Sequence, residues 1–234
     1  MAGSACHHGG EGQRGCVSLV PIFNHLAEDQ MDEVMQVVQN RRLRKNETLY
    51  QAGDEADALY IVHRGQVKIY HLSESGKEQL IRVLYPGDFT GELALFQESE
   101  HESFAEAVVD SNICMIQRSD LQRFLMKYPT ISLKILQEFS SRLGSSEKQT
   151  TQFATEKVEL RIAQFLVENM RANKNDANQG RLELPMSKKD LASYLGTTPE
   201  TLSRRLTDFE EAAYIQQTGQ RDIEILDADG LLLS

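Results

Sequence analysis

The chain has 234 residues, of which 40% are hydrophobic and 26% are charged, and this is the ordinary composition of a globular protein with one large or two modest cores. Its formal net charge of -10 argues against a protein that coats nucleic acid indiscriminately, because non-specific affinity comes from neutralising phosphates with Lys and Arg. No apolar run reaches the length of a membrane span, and the N-terminus lacks the apolar core of a signal peptide, so we expect a cytoplasmic protein.

Residues 1–18 are predicted to form a flexible arm that carries candidate ligands for a metal or for thiol chemistry. The arm is rich in Gly, Ser, His and charged residues and has little apolar surface to bury. Its candidate functional side chains are Cys6, His7, His8 and Cys16. Three cysteines in a reducing compartment do not make a structural disulfide framework, so they are interpreted as metal ligands, redox-active thiols or inert residues.

Residues 19–127 are predicted to form a sensor domain built as an antiparallel β-barrel of the jelly-roll type. An amphipathic helix is expected first, over residues 28–38. After residue 43, short apolar runs alternate with glycine-containing turns at the spacing of a β-sandwich or barrel. The glycines expected at the corners of this barrel are Gly53, Gly65, Gly76, Gly87 and Gly91.

The histidines of this segment are too scattered for a metal-dependent enzyme built on the same kind of barrel. His63, His71 and His101 are isolated along the sequence, and we expect each of them at the surface or in a turn. The sequence also shows no nucleophile paired with a base and no phosphate-cradling loop. We therefore predict that the protein is not an enzyme.

A long helix is predicted over residues 128–155, and we expect it to pair two copies of the chain as a homodimer. Pro129 is a natural first residue for this helix. The residues that follow alternating steps of three and four, the a and d spacing of a coiled coil, are Leu136, Phe139, Leu143, Ser146, Thr150 and Phe153. The small and polar residues in the middle of this series weaken the predicted pairing there, so we expect that the way the two helices pair can change. The alternative is a helix that packs on its own barrel.

The remaining residues, 156–234, are predicted to form a winged helix-turn-helix domain. Two short helices form its centre, and a hairpin with a glycine turn forms its wing. The other predicted segments are a helix over 156–170, a polar loop over 173–180, a short strand over 181–184 and two hairpin strands over 214–217 and 222–226.

The two short helices carry the start and stop signals of a helix-turn-helix. Ser187 can cap the first helix, with Asp190 at the position of a capping-box acid three residues later. Gly196 can take the positive φ that ends this helix. Thr198 followed by Pro199 then provides an N-cap and a favoured first residue for the second helix.

The second helix of the pair is predicted to be a recognition helix that lies in the major groove of DNA. Its apolar residues, which share the face that packs on the first helix, are Leu202, Leu206 and Phe209. On the opposite face, Arg204 can donate to guanine O6 and N7, and Glu200 can accept from cytosine N4. The predicted DNA contacts, including basic residues for phosphates, are Thr198, Glu200, Ser203, Arg204, Arg205, Lys188 and Lys189. The alternative is that these polar residues form only a solvated helix face.

Two motifs and the order of the predicted domains resemble a known family of bacterial regulators. The motifs are PGDFTGELALF at residues 86–96 and TPETLSRRL at residues 198–206. With the order barrel, long helix and winged helix-turn-helix, which is an α+β fold, the chain from about Cys16 onward resembles the CRP/FNR superfamily of transcription regulators. It looks closest to the FNR-like, FLP-type branch. The resemblance implies a barrel similar to a cyclic-nucleotide-binding domain, a homodimer that binds a palindromic operator in double-stranded DNA, and RNA polymerase as a further partner.

The resemblance also implies which ligand and which operator the chain takes. In relatives that bind cyclic AMP, an Arg-Ser pair clamps the phosphate, whereas this chain has Glu102 beside Ser103. Because a carboxylate repels a phosphate, the sequence predicts that cyclic AMP is not bound. The E-x-x-S-R pattern of the FNR branch is present as Glu200, Ser203 and Arg204, which implies an inverted repeat of half-sites similar to TTGAT.

The cysteines are the candidate sensor of redox state, oxygen or metal. Cys16 and Cys114 match two ligand positions of the FNR [4Fe–4S] cluster, but Cys6 would have to be the third ligand and a fourth cysteine is missing. Cys16 and Cys114 could instead form a reversible disulfide. A zinc or Fe–S site with four ligands from Cys6, His7 or His8, Cys16 and Cys114 is the third chemistry left open. One alternative is that the cysteines are inert, with Cys114 a buried small hydrophobe and Cys6 a thiol in a disordered tail. Another is a regulator of the same fold that binds a small metabolite in the barrel, with no thiol or metal chemistry.

Overall fold

The part of the chain with a described structure begins shortly before Cys16. The computed structural model describes residues 14–74, 76–96, 98–173 and 176–233. Most of the arm predicted over residues 1–18, including Cys6, His7 and His8, lies outside these described residues. Within the described ranges, no helix combines the length and the apolar character that crossing a bilayer requires.

Two compact units make up the chain, and each has its own apolar core. The first unit contains Met1–Leu72 and Arg82–Ser141. The second unit contains Ser73–Ile81 and Arg142–Ser234. The domain boundaries that we place after residues 18, 127 and 155 follow sequence patterns rather than contacts, and they stay predictions.

Helices begin and end the described chain and connect its two groups of strands. The α-helices are α1 (Arg14–Leu19), α2 (Glu28–Met35), α3 (Arg118–Lys127), α4 (Pro129–Thr155), α5 (Val158–Asn169), α6 (Lys188–Tyr194), α7 (Pro199–Glu211) and α8 (Ala228–Leu233). The first group of strands is β1 (Gln39–Leu43), β2 (Thr48–Tyr50), β3 (Glu55–Ala56), β4 (Ala58–Arg64), β5 (Val67–Leu72), β6 (Glu78–Leu84), β7 (Phe89–Thr90), β8 (Ser99–Glu100), β9 (Phe104–Ala107) and β10 (Ser111–Gln117). The second group is β11 (Arg171–Asn173), β12 (Asp176–Glu183), β13 (Ile215–Gln217) and β14 (Asp222–Ile225).

The first group of strands forms the predicted jelly-roll-type β structure. Its two four-stranded sheets have the orders β1-β10-β4-β7 and β2-β9-β5-β6, and β3 pairs with β8. The pairs β1 with β10, β10 with β4, and β5 with β9 are all antiparallel. With the long helix α4 and the helix-turn-helix described below, this confirms the α+β fold class predicted from the sequence.

The core of the first unit joins helices α1, α2 and α3, strands β4, β7 and β10, and the first half of α4. Its fully or nearly fully buried residues are Val17, Val20, Ile22, Phe23, Leu26, Val34, Leu59, Ile61, Phe89, Cys114, Ile116, Leu121, Phe124, Ile131 and Ile135. Gly91 shows how closely the backbone packs at this barrel. It has a φ of 82°, and a Cβ at this position would lie 2.3 Å from the carbonyl oxygen of Ala58, so only glycine fits.

The prediction for His101 was wrong, because this residue is buried rather than at the surface or in a turn. Its side chain is 8% exposed and stacks on the ring of Tyr50, with ring centroids 3.6 Å apart. The backbone around His101 is held inward by pairing with a distant turn, since its N–H donates to the carbonyl of Asp54 at 2.8 Å and its carbonyl accepts from the N–H of Gly53 at 2.8 Å. This pairing is non-local, so the sequence around His101 does not show it.

The second unit packs α5, α6, α7 and α8 against a four-stranded sheet of order β11-β12-β14-β13. Its buried residues are Ile162, Ala163, Leu166, Leu182, Leu184, Leu191, Ala192, Leu195, Leu202, Leu206, Phe209, Ile215, Ile223, Ile225, Ala228 and Leu231. The segment Ser73–Ile81 is grouped with this unit because the Ser193 hydroxyl donates to the carbonyl of Glu78 at 2.8 Å and accepts from the N–H of Leu80 at 2.7 Å.

The polar loop predicted over residues 173–180 is mostly strand, which corrects the sequence analysis. Strand β12 runs through it, with Gly180 opposite Ile225 of β14 and opposite Ala172 of β11. Asn, Asp and Gly have low strand propensity, but pairing on both edges supplies the backbone hydrogen bonds that outweigh it. The Asn178 side chain adds a hydrogen bond from Nδ2 to the Asp227 carboxylate at 2.9 Å.

Several predicted helix ends differ from the structure by a few residues. The helix expected over 28–38 ends at Met35, and the helix expected over 156–170 spans Val158–Asn169. Helices α1 and α8 were not predicted, because each is only six residues long and too short for a clear periodic pattern.

Asp227 immediately precedes α8, and the hydrogen bonds of its carboxylate make a pH-dependent contribution to stability. Its carboxylate accepts hydrogen bonds from the N–H of Gly230 and from Asn178, both at 2.9 Å, and these bonds lower the pKa of Asp227 below its ordinary value of 3.8. A lowered pKa in the folded state stabilises the protein above the unfolded value, and the contribution disappears as pH falls through the folded value. We expect Asp227→Asn to lower the urea midpoint at pH 7 and the difference from wild type to shrink steadily as pH falls below 3.8. A difference that grew on acidification would contradict this assignment.

Candidate nucleic-acid interface

The helix-turn-helix is fixed by two side-chain caps and one glycine. Ser187 caps α6 by accepting a hydrogen bond from the N–H of Asp190 at 3.1 Å. Gly196 follows the helix with a φ of 67°, the left-handed conformation predicted for it. Thr198 caps α7 by accepting from the N–H of Thr201 at 3.2 Å, and Pro199 occupies the first turn. The local signals in the sequence therefore specify both helix starts and the turn.

Helix α7 has one buried face and one exposed face. Its buried residues are Leu202, Leu206 and Phe209, which join the core of the second unit together with Leu191 and Ala192 of α6. The exposed residues near its N-terminal end are Thr198, Glu200, Ser203, Arg204 and Thr207. Residues spaced by three and four share one side of a helix, so these polar side chains form a continuous stripe opposite the core.

The Glu200 carboxyl lies at the N-terminal end of α7 and stays ionised over a wide pH range. Its pKa is lowered by a hydrogen bond from its own backbone N–H and further by one with the Thr198 hydroxyl. An ionised carboxylate can only accept hydrogen bonds, which suits the amino group of a cytosine.

Arg204 and Arg205 are neighbours in the sequence but differ in their contacts. Arg204 is exposed, and the described part of the protein gives it no hydrogen bond or ion pair. Arg205 is half-buried and pairs with Glu159 of α5 at 2.5 Å and with Asp208 at 2.9 Å. Because its guanidinium already has two carboxylate partners, Arg205 holds α7 on α5, whereas Arg204 is open to an external ligand.

The two predicted lysine contacts differ in the same way. The ammonium of Lys188 donates to Oε1 of Gln217 at 2.7 Å, which ties α6 to the first wing strand. Gln217 in turn donates to Glu210 of α7 through its backbone N–H at 2.8 Å and through its side chain at 2.9 Å. Lys189 is exposed. The network of Lys188, Gln217 and Glu210 therefore fixes the wing relative to both helices of the motif.

The predicted pairing residues of α4 are mostly uncovered in the single chain. The side chains of Leu136 and Leu143 are 59% and 61% exposed, and Ser146 and Thr150 are exposed as well. We call these four residues the α4 face. Packing within a single chain does not explain why two leucines occupy positions with the a and d spacing of a coiled coil and yet stay exposed.

The two aromatic residues of the same prediction already have partners within the chain. Phe139 makes an edge-on contact with Phe96, with ring centroids 5.7 Å apart. Phe153 is 40% exposed, and the guanidinium of Arg161 lies 5.0 Å from its ring centroid. These contacts place both rings at the border of the α4 face rather than wholly within it.

The candidate sensor residues are described only in part. Cys114 is 1% exposed and its thiol donates to Oδ1 of Asn40 at 3.4 Å. Cys16 lies in α1, and the next residue, Val17, is buried in the same core as Cys114. In the described ranges, no group of three or more metal-binding side chains comes together. Cys6, His7, His8 and the Cys16 side chain lie outside what the structure describes.

Five residues inside the first unit form a polar cluster that the sequence analysis missed. The Tyr50 hydroxyl lies 2.9 Å from that of Thr90, and Arg82 pairs with Glu92 at 3.2 Å. His101 stacks on Tyr50, and its Nε2 is buried with no hydrogen-bond partner among the described residues. The signal in the sequence was Arg82, a single charge within the apolar strand run QLIRVL, because a strand interior rarely contains an arginine without a partner.

Comparison with known proteins agrees with this architecture. Residues 40–128 match the family model of the cyclic nucleotide-binding domain, and residues 160–233 match the model of the Crp-like helix-turn-helix domain. The chain is 32% identical over 216 residues to the "Probable transcriptional regulator flp" of Lacticaseibacillus casei, an alignment that covers 92% of this chain and 96% of that relative. It is 31% identical over 209 residues to the anaerobic regulatory protein of Haemophilus influenzae, covering 88% of this chain and 80% of the relative.

Among solved structures, FixK2 from Bradyrhizobium japonicum has a similar fold. The TM-score is 0.69 with 28% sequence identity, and the alignment covers 83% of this chain and 96% of that structure. The similarity extends over both units, and the relatives are transcription regulators rather than enzymes. The chain therefore belongs to the CRP/FNR family of DNA-binding transcription regulators.

Proposed function

We propose that the protein is a homodimer that binds an inverted repeat of half-sites similar to TTGAT, with one recognition helix in each half-site. The observation that carries this proposal is the exposed stripe of Glu200, Ser203 and Arg204 on α7, opposite a fully buried face. Arg204 and Glu200 would contact the central base pairs and Ser203 the flanking thymine. Thr198 and Lys189 would contact the sugar-phosphate backbone, and RNA polymerase would be a further partner.

The α4 face supports the homodimer. Two exposed leucines on one face of a 27-residue helix are costly in water and are stabilised when a second copy covers them. A dimer also places two recognition helices at a fixed separation, and half-sites about one helical turn apart tolerate only a narrow range of that separation. Any change in how α4 pairs would therefore alter operator affinity.

The signal is proposed to act through Cys114 and the N-terminal arm. Cys114 shares its core with Val17, which follows Cys16, and with Ile131 and Ile135 of α4. Oxidation of the Cys16 and Cys114 thiols to a disulfide would release two electrons and two protons to a small disulfide oxidant and would tie the arm to this core. A zinc site that includes Cys6, His7 or His8 is the other proposed chemistry. Formation of the disulfide or binding of zinc would each change the core against which the first half of α4 packs.

The four-cysteine [4Fe–4S] cluster of the FNR branch does not fit this chain. The sequence has three cysteines, one fewer than such a cluster requires. The one cysteine with a described side chain, Cys114, is enclosed by apolar residues and bonded to Asn40. No step of the proposed function depends on this cluster.

The proposal for the sensor is tested by measuring operator affinity in three states of the purified protein. Fluorescence anisotropy with the inverted repeat should show at least about a fivefold difference among oxidised, thiol-reduced and chelator-treated samples, the range of a typical allosteric coupling. Elemental analysis and an ultraviolet–visible spectrum of anaerobically purified protein separate a metal from a disulfide. Cys16→Ser should remove the difference, and equal affinity in all three states would contradict thiol or metal sensing.

A second candidate is a regulator of the same fold that binds a small metabolite in the barrel. The observation that favours it is the buried Nε2 of His101, which has no hydrogen-bond partner among the described residues and lies beside the Tyr50 ring. An unpaired buried nitrogen costs free energy, and a metabolite could recover it only by opening the packing around the His101 ring. If the protein is a metabolite regulator, its operator affinity should still change with the signal in Cys16→Ser protein and should no longer change in His101→Ala protein. The thiol mechanism predicts the reverse.

A further inference from the structure

Two exposed apolar side chains lie at a short 3₁₀ turn of the first unit, which spans Glu92–Leu95. Leu93 is 62% exposed, and Phe96, the residue that follows the turn, is 58% exposed. The N–H of Phe96 donates to the carbonyl of Leu93 at 3.2 Å. Because this kind of helix has three residues per turn, side chains three positions apart lie on the same side of it. We call Leu93 and Phe96 the barrel patch.

The barrel patch continues the apolar surface of α4. Phe96 contacts Phe139 edge-on, and Phe139 lies three residues after Leu136 and four residues before Leu143. Apolar residues that are scattered singly over a surface need no explanation, but a joined group of large ones indicates an interaction site. The barrel patch and the two leucines of α4 therefore form one apolar surface on either side of Phe139.

Helix α4 alone carries few apolar residues for a stable pair. A coiled coil normally has an apolar residue at almost every a and d position. The series in α4 includes the polar residues Ser146 and Thr150, and its two phenylalanines are partly covered within their own chain. This leaves Leu136 and Leu143 as its largely exposed apolar members. A second source of apolar area beside these leucines would offset the weakness of the series.

A second copy of the chain fits beside the barrel patch. The helix-turn-helix follows α4 in the sequence, so two recognition helices can reach one duplex from the same side when the two α4 helices run parallel. In a parallel pair with two-fold symmetry, residues with the same number lie at the same level. Because Phe96 contacts Phe139, the barrel patch lies at the level of residues 136–143 in both helices of the pair.

We propose that the barrel patch of each copy packs against α4 of the other copy, at the level of Leu136 and Leu143. This inference rests on the proposed homodimer and extends its interface from the helix pair to the barrel. The two-fold symmetry of the dimer places one barrel patch on each side of the helix pair. Leu93 and Phe96 are then covered by the second copy.

The 3₁₀ turn also connects the barrel patch to the polar cluster inside the barrel. Glu92 is the first residue of the turn, and its carboxylate pairs with Arg82 at 3.2 Å. Leu93 is the next residue along the chain, so a shift of the ion pair would move its side chain as well. A change in the barrel of one copy would therefore act on α4 of the other copy.

The first test measures the dimer Kd of the full-length protein by sedimentation velocity. Leu93→Ala should raise this Kd at least about tenfold, because each dimer loses two apolar contacts. Leu93→Met keeps the apolar volume, so its Kd should stay within about threefold of the wild-type value. Leu93 belongs to neither apolar core, and circular dichroism should show an unchanged fold in both variants.

Leu72→Ala is the matched control for the first test. It also truncates an exposed leucine of the first unit, but this leucine lies on β5 rather than at the 3₁₀ turn. We expect it to leave the dimer Kd unchanged. An equal rise of the Kd in the Leu72 and Leu93 variants would overturn the proposed contact.

The second test locates the contact by photo-cross-linking. The variant Leu93→p-benzoylphenylalanine carries a benzophenone at the barrel patch, and ¹⁵N-labelled and unlabelled copies are mixed and allowed to exchange before irradiation. We expect cross-linked peptides of mixed isotope content that join position 93 of one copy to residues 133–146 of the other. The same benzophenone at Leu72 should not give this product.

The outcomes distinguish failure of this contact from failure of the homodimer. A wild-type protein that stays monomeric up to about 100 μM would overturn both proposals. If glutamates at Leu136 and Leu143 dissociate the dimer while Leu93→Ala leaves its Kd unchanged, the contact with the barrel patch is wrong and the α4 pairing stands. Cross-links confined to single copies would also overturn the contact, and the barrel patch would then be left to a partner of another kind.

Discussion

Replacing Arg204 with alanine is expected to abolish specific binding to the inverted repeat while leaving the fold intact. A bidentate contact between arginine and guanine contributes about 1–3 kcal/mol of discrimination, and a dimer loses two of them. The expected loss is therefore about 2–6 kcal/mol, or roughly thirtyfold to twenty-thousandfold in Kd. Stability should not change, because Arg204 is exposed and makes no hydrogen bond or ion pair in the described part of the protein. Anisotropy titrations on the repeat and on a scrambled duplex measure the effect.

Three control variants separate base recognition from charge. Arg204→Lys keeps the positive charge but loses the planar fork, so it should behave almost like alanine on the repeat. Lys189→Ala should weaken binding to both duplexes equally and reduce the salt slope by about 2, about 1 for each of the two lysines in the dimer. Arg205→Ala should instead lower the thermal midpoint, because it leaves Glu159 and Asp208 without their partner. An Arg204→Ala protein that loses the same factor on the scrambled duplex would show that Arg204 contacts only phosphate.

The contrast between Arg204 and Arg205 shows where sequence analysis ends. Both arginines lie on a helix that its own N-cap, proline and glycine turn specify, so the positions of α6 and α7 could be predicted almost to the residue. The partner of Arg205 is Glu159, 46 positions earlier, on a helix whose rotation depends on the whole core of the second unit. Lys188 is similar, since Gln217 of the wing determines its direction. Helical periodicity assigns a face, but tertiary contacts decide which polar residues on it are already paired.

The strand β12 and the buried His101 were missed for a related reason. Both are held by backbone pairing with distant segments, β12 with β14 and His101 with Asp54. Their side chains are of types that usually occur in turns and on surfaces. Such polar residues are tolerated in these segments because neighbouring segments provide the backbone hydrogen bonds and the packing. The sequence shows such segments only indirectly, through the apolar strands that need partners on both edges.

The charges of the second unit suggest how a chain with a net charge of -10 can still bind DNA. Of the basic residues predicted to contact DNA, Lys188 and Arg205 are bonded within the protein, which leaves Lys189 and Arg204 on the exposed surface. A small number of phosphate contacts gives a shallow salt dependence and weak non-specific affinity. Under the proposed function, specificity then comes mainly from the proposed base contacts on α7, and two copies of the chain would have to act together.

Replacing both Leu136 and Leu143 with glutamate is expected to convert a dimer into monomers and to remove operator binding. Fully burying one leucine side chain stabilises an interface by about 1.5–3 kcal/mol, and the proposed symmetric pairing would cover four of them. Glutamates at the same positions would place like charges opposite each other across the pair. We expect the dimer Kd to rise by at least about a thousandfold, measured by sedimentation velocity over a range of protein concentrations.

Met126→Glu is the control for this variant, because it places a glutamate at an apolar side chain that is 85% exposed on α3 rather than on α4. It should remain dimeric and keep wild-type operator affinity. The double variant should also keep its thermal midpoint at low protein concentration, since neither leucine belongs to the core of its own chain. A double variant that stayed dimeric would show that the α4 face is not the interface, and the spacing of the recognition helices would then have to be set by another surface.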